Sequence, residues 1–254
     1  MGKPGRTALR EVLPRIVNSY KIDFVIANVE NAAGGFGVTP EMVEEFRNLG
    51  VDCMTSGNHL WDKKEIIPFI SHSPHLLRPA NFVEGSPGKG CAPFQTVFGQ
   101  KLVVLNLIGR VFMGNYDCPF RAADKELKRI EGTTPIVIVD MHAETTSEKR
   151  AMGWYLDGRV SAVFGTHTHV QTADEQILPK GTAYITDLGM TGPHHSVIGM
   201  TPEYSIQRFL YQMPGDKKVA EGNIQLHGAV IRMDEKTGKA ISIERIQQSV
   251  EERK

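Results

Sequence analysis

Two hydrophobic periods alternate along the chain. Ala8, Leu9, Val12, Leu13, Ile16 and Val17 recur at helical spacing, which predicts an amphipathic first helix with a kink at Pro14. The run DFVIAN (23–28) predicts a strand. Thr39 before Pro40 reads as an N-cap followed by proline in the first turn, opening a helix that reaches about Leu49 and stops at Gly50. VDCMT (51–55) predicts a strand and KKEIIPFI (63–70) a short helix. Residues 81–93, rich in glycine and proline, predict a loop. Strands follow at 94–97 and 101–107, a helix at 121–130, a buried strand at 135–140, a helix at 147–156, and strands at 159–164 and 182–185. IQLHGAVIRM and KAISIERIQQS read as antiparallel strands around the turn DEKTGK.

Strands alternating with helices point to an α/β (α+β) layered fold, a mixed β-sandwich core with outer helices. No repeat, low-complexity tract or linker divides the chain, so a single domain over residues 1–254 is expected.

Composition narrows the function classes. With 29 basic and 29 acidic residues the formal charge is zero, which removes any global attraction to nucleic acid or anionic membrane. Three cysteines, far apart and without a C-x-x-C, argue against a disulfide framework and a thiolate zinc site. The apolar runs are too short to span a bilayer, and the N-terminus lacks a signal core and a myristoylation pattern. A cytoplasmic location is expected.

The chemistry-bearing residues fall at equivalent places. Glu30 and Asn31 follow DFVIAN; Asn58 and His59 follow VDCMT; His142 follows PIVIVD; His167 and His169 follow RVSAVF. Four predicted strands thus carry metal-competent groups just past their C-terminal ends, the edge where open α/β sheets bind ligands. Each group alone reads more readily as a hydrogen-bonded core or rim residue or a turn former than as a ligand; their coincidence at equivalent places reverses that and favours a site. Three imidazoles, a carboxylate and an amide oxygen, with no thiolate, suit Fe, Mn, Zn, Co or Ni. A carboxylate can bridge two cations, and metal pairs ~3.5–4 Å apart recur in phosphoester hydrolysis.

EN…GNH…H…GTHTH, in this order on successive strand ends, resembles the calcineurin-like metallophosphoesterase superfamily. Within it, NVENAAGGFG, SGNHLWDKKEI, DMHAETTSEK and GTHTHVQTAD resemble the bacterial YmdB-like phosphodiesterases, a likeness that covers nearly the whole chain. The resemblance implies a two-layer β-sandwich flanked by helices around a dinuclear site of two transition-metal ions, iron first, with manganese or zinc as alternatives. It implies a hydroxide bridging the metals that attacks cyclic nucleotides or small phosphodiesters. Carried over by residue, Glu30 is similar to the bridging carboxylate. Asn58, His142 and His167 resemble the other ligands of one metal, and His169 a ligand of the second. Asn31 and His59 lie where the family contacts the phosphate and assists the leaving group.

The chain departs from the pattern in one respect. Family members begin with a strand ending in Gly-Asp-Val, whose Asp ligates the metal that His169 serves, and no residue here matches that motif. The first strand is therefore expected to be missing, through an internal or truncated start in preference to a real loss. One tightly bound metal and weak hydrolysis are expected. The competing reading is a catalytically impaired regulator of the same fold that binds nucleotide, RNA or a protein partner. A one-metal, amidohydrolase-like enzyme is a third. The expected partner is a small phosphodiester or cyclic nucleotide, with no nucleic-acid patch, no membrane, and room for a homo-oligomer.

Among the remaining polar residues, Asp62 reads as a helix N-cap in preference to an orienter of His59. Glu144 and residues 145–149 read as capping groups. His194-His195 suits a rim, His72 and His75 solvent, and His227 a structural strand position. Arg110 suits either a substrate phosphate or a salt bridge.

Overall fold

The structure, a computed structural model, describes residues 1–251, so residues 252–254 of the expected single domain lie outside the described part. Helix α1 (Gly2–Tyr20) continues past Pro14, which sits on its exposed side, and ends on Lys21 in the left-handed region. Burial of Ala8, Val12, Leu13 and Ile16 along one face holds the helix across the hydrogen bond lost at Pro14. Strand β1 (Ile26–Asn28) pairs in parallel with β2 (Cys53–Thr55), Asn28 opposite Thr55. Between them α2 (Pro40–Asn48) starts as its sequence predicts, with Thr39 Oγ1 accepting from the Met42 amide. A 3-10 turn, Leu60–Asp62, and the short α3 (Ile66–Ile70) follow.

The central sheet takes β3 (Cys91–Gln95), β4 (Lys101–Ile108), β5 (Val137–His142), β6 (Ala162–Thr166), β7 (Gln176–Ile177) and β8 (Ala183–Ile185) in the order β3–β4–β5–β6–β8–β7. Strands β4, β5, β6 and β8 are parallel, and the two edge strands run antiparallel to them. The loop expected over 81–93 is shorter than that, because β3 begins at Cys91 and includes Pro93. An edge strand tolerates proline, since its N–H side need not bond a neighbour.

Both sheet faces are buried, and the period of two sorts the side chains. Val103, Leu105, Leu107, Val137, Val139 and Met141 pack toward α4 (Pro119–Arg129) and α5 (Thr146–Leu156). Leu102, Val104, Ile136, Ile138, Phe164 and Ile185 face the other layer. That layer holds β1–β2 and a sheet of β9 (Gly192–Pro193), β10 (Ile224–Met233) and β11 (Ala240–Ser249), with the expected antiparallel β10–β11 hairpin. Helix α6 (Pro202–Tyr211) precedes β10.

The second layer is in two pieces. Among the described residues, β10 beyond Gln225 pairs on one side only, with β11, and β1 pairs only with β2. A cavity of about 250 Å³ lies between those two free edges, under Leu9, Leu13 and Ile16 of α1, and reaches His142, His167 and His169. No helix among the described residues is long and apolar enough to cross a membrane.

Candidate metal centre

Strands β1, β2, β5 and β6 end side by side, and each delivers one donor. Glu30 and Asn58 lie just past β1 and β2, His142 closes β5, and His167 is the first residue after β6. All converge on one nitrogen. Asn58 Oδ1 lies 3.0 Å, His167 Nδ1 3.1 Å and Glu30 Oε1 3.2 Å from His142 Nε2. Glu30 and His142 are each only 1% exposed, so water cannot satisfy them. Gly57, beside Asn58, is required: a Cβ there would be driven into the His142 ring.

The surroundings of His142 fix which of its nitrogens carries the proton. Thr166 Oγ1 donates to Asp140 Oδ1 at 2.7 Å and lies 2.9 Å from His142 Nδ1. A hydroxyl has one proton. Having given it to Asp140, Thr166 accepts from His142 Nδ1–H, so in the neutral imidazole Nε2 is the nitrogen that presents a lone pair. Asp140 is held as an acceptor by a second hydroxyl, Thr55 Oγ1 at 2.5 Å. The imidazole lone pair therefore meets a carboxylate oxygen, an amide oxygen and a second imidazole nitrogen. Four electron-pair donors gathered in a dry pocket fit a cation, and this backing of a ligand histidine by hydroxyl and carboxylate is the arrangement that metal sites use.

The charges agree. Burial by itself would push the Glu30 carboxyl up, but the charge and hydrogen bond of His142, with the His59 amide at 3.0 Å, bring it down to about 2. Burial opposes charge on His142, and the Glu30 carboxylate outweighs it and raises its pKa. Burial and then the positive charge of His142 lower His167 to about 4. The cluster thus favours one positive charge at its centre, a proton on His142 Nε2 when nothing is bound or a cation in that proton's place, with His167 neutral.

His169 stands one residue removed from this group. Its Nδ1 donates to the Ile198 carbonyl at 2.8 Å, leaving Nε2 to accept from Asn31 Nδ2 at 3.1 Å. The same amide lies 3.5 Å from Glu30 Oε1, so Asn31 links the two halves of the site. Among the described residues the His/Cys/Asp/Glu cluster comprises Glu30, His142 and His167, whose ligand atoms all lie within 4.8 Å of one another; His169 is outside it. His167 and His169 have φ of 100° and 66°, left-handed conformations that cost ~1–3 kcal/mol each in non-glycine residues.

His59 sits at the rim. Its Nδ1 is 2.7 Å from Asp62 Oδ2, and its ring meets Phe36 edge-on at 5.0 Å. Asp62 therefore orients His59 and does not cap a helix: it ends the 3-10 turn, and α3 begins only at Ile66. Glu144 is not a cap either, since its Oε2 contacts His167 Nε2 at 2.9 Å and turns Nδ1 toward the cluster. Thr145 occupies the N-cap position of α5, but its hydroxyl makes no capping bond. The Glu148 carboxylate accepts from the Arg110 and Val111 amides and so shapes the loop after β4. Arg110 itself is exposed and forms no ion pair among the described residues. His194 stacks on His227 with ring centroids 4.1 Å apart, His75 bonds the Asp52 carbonyl, and His72 is exposed. Asp140, Thr55 and Thr166 escaped the sequence reading because their roles come from contacts 26 to 85 positions apart. The only local signal was an aspartate inside an otherwise apolar strand.

Parallel strands backed by helices, a second β layer, and mixed N/O donors at the strand ends define a metallophosphoesterase-like fold. The chain belongs to the YmdB-like protein family, whose profile matches residues 1–246. It is 52% identical over 246 residues to the 2',3'-cyclic-nucleotide 2'-phosphodiesterase of Bacillus subtilis (strain 168), covering 97% of this chain and 93% of that protein. A crystal structure of a novel phosphatase from Mycoplasma pneumoniae superposes with a TM-score of 0.91 at 36% identity, covering 98% of this chain and 90% of the other. A hypothetical protein from Thermus thermophilus superposes with a TM-score of 0.91 at 42% identity, covering 98% of this chain and 96% of the other.

Proposed function

We propose that this protein is a metal-dependent phosphodiesterase that opens cyclic nucleotides or small phosphodiesters. The observation that carries the reading is the gathering of Glu30, Asn58 and His167 donors on the lone-pair nitrogen of His142. The activity named for the Bacillus relative agrees with it and favours a 2',3'-cyclic nucleotide as substrate. Iron is the first choice of metal, and manganese or zinc also suits the donor set.

Glu30, Asn58, His142 and His167 hold the first ion, and Glu30 is placed to share a second with His169. Such ions would supply charge neutralisation at the phosphoryl oxygens and a water made nucleophilic at neutral pH. The Asn31 amide, between Glu30 and His169, donates to a phosphoryl oxygen in place of its present partners. Asp62 anchors His59 through Nδ1, leaving Nε2 as the ring nitrogen that delivers a proton to the departing oxygen. The cavity offers the free edges of β1 and β10 to an extended segment, which would join the two pieces of the second layer. A carboxylate at the end of such a segment would complete the position beside His169. With the described residues alone, one ion would have four ligands and a second only Glu30 and His169.

The test is hydrolysis of bis(p-nitrophenyl)phosphate and 2',3'-cyclic AMP by protein loaded in turn with Fe, Mn and Zn. The expected result is metal-dependent turnover that His142→Ala abolishes. No turnover with any of the three metals refutes the proposal.

A further inference from the structure

The loop His167–Thr168–His169 joins two ligand candidates through two left-handed residues, and nothing in its own sequence stabilises that path. What holds it is a buried ion pair behind it. Lys149 of α5 and Asp187, two residues past β8, are each 1% exposed, and Lys149 Nζ lies 2.6 Å from Asp187 Oδ2. The same carboxylate oxygen accepts from the Thr168 amide at 3.2 Å and the Thr168 hydroxyl at 2.8 Å. Its other oxygen accepts from the Gly189 amide at 2.8 Å. Every Asp187 side-chain bond thus ends on the Lys149 ammonium, on the residue between the two histidines, or on the neighbouring strand exit. Gly165 completes the fit, since a Cβ there would collide with the Thr186 carbonyl and crowd the Lys149 stem.

A buried lysine–carboxylate pair is weak evidence of stability, because desolvation of both charges offsets their attraction; positional specificity is the better reason to keep one. We propose that Lys149 and Asp187 are positioning residues that hold the left-handed His167–Thr168–His169 turn in its ligand-presenting geometry. The inference rests on the metal reading above for its consequence, but not for its mechanics. Neither side chain bonds Glu30, Asn58, His142, His167 or His169. Their action runs through the Thr168 amide, which the carboxylate fixes midway between the two imidazoles.

Lys149→Met alone strands a buried carboxylate and is expected to impair folding, so the test uses Lys149→Met/Asp187→Asn, which removes both charges and keeps their shape. Thr168→Ala, which deletes one leg of the clamp and leaves the ion pair intact, is the second variant. In the metal-free protein, amide exchange at Thr168 is expected to rise at least tenfold in the double variant and less in Thr168→Ala. Amides in the centre of β5 and β6 should keep their wild-type protection. Mn²⁺ affinity should fall ~10–100-fold, the usual effect of losing a group that orients a metal ligand. A rise at Thr168 supports the clamp even if wild-type protein binds no Mn²⁺, in which case the metal reading fails by itself. Unchanged Thr168 exchange in folded protein carrying either substitution set overturns the inference.

Discussion

Replacing Thr166 with valine deletes one hydroxyl and keeps the side-chain shape, so its effect isolates the link between Asp140 and His142. Two buried hydrogen bonds disappear, of 2.7 Å to Asp140 and 2.9 Å to His142 Nδ1. Each group left unsatisfied costs ~1–3 kcal/mol, which puts the loss of folding stability at about 2–6 kcal/mol. The functional effect is separate. Without Thr166 as acceptor, nothing holds the proton on His142 Nδ1, and the lone pair at Nε2 is no longer guaranteed. Metal affinity is then expected to fall ~10–100-fold. Thr55→Val is the matched control, because it removes the other hydroxyl from Asp140 at 2.5 Å and does not touch His142. Urea unfolding reads the stability of both variants, and Mn²⁺ titration calorimetry at pH 7 reads the affinity. Comparable destabilisation with a large affinity loss only in Thr166→Val is the predicted pattern. A folded Thr166→Val protein that binds Mn²⁺ within twofold of wild type refutes the proton assignment on which the metal site is argued.

His59→Ala should lower kcat by ~10²–10⁴ with the metals still bound, and Asp62→Asn by less, as measured on 2',3'-cyclic AMP. Gly57→Ala should abolish tight metal binding, because its methyl and the His142 ring claim the same space; retained binding by calorimetry would contradict the packing described. The metal-free protein should lose stability toward acid in two windows. The folded-state pKa of His167 lies near 4 against an ordinary 6.5, so the unfolded chain takes up that proton first and stability falls as pH drops from about 6.5 to about 4. Glu30, held near 2 against 4.5, contributes stability above about 4.5 that is lost as pH falls toward 2. His142, with its pKa raised, works the other way and contributes stability that is lost as pH rises through its folded value. Thermal unfolding from pH 7 to 3 with His167→Gln as comparison tests the first window, which that variant should flatten.

The elements with local signals were legible in the sequence. Thr39-Pro40 capped α2, alternation marked β10 and β11, and the strand-end positions of Glu30, Asn58, His142 and His167 pointed to one edge before any contact was known. Helix α6 has the same Thr-Pro opening, at Thr201-Pro202, yet only Ser205 on it is buried, and Ile206, Phe209 and Leu210 are exposed. Its apolar positions recur at helical spacing, but they face solvent and not the core. Asp62 and Glu144 were misread as caps because an acid before a helix carries that signal, whereas their bonds to His59 and His167 depend on how turns bring side chains back. Lys149 and Asp187 lie 38 positions apart, and no local pattern marks them as a pair.

The central claim is that Glu30, Asn58, His142 and His167 together hold a metal ion. Anomalous diffraction at the manganese edge, from crystals of Mn²⁺-loaded protein, tests it most directly. A strong peak within coordinating distance of all four side chains is expected, with any peak beside His169 of lower occupancy. A saturated protein with no peak among those four donors, or with its only peak elsewhere, would contradict it.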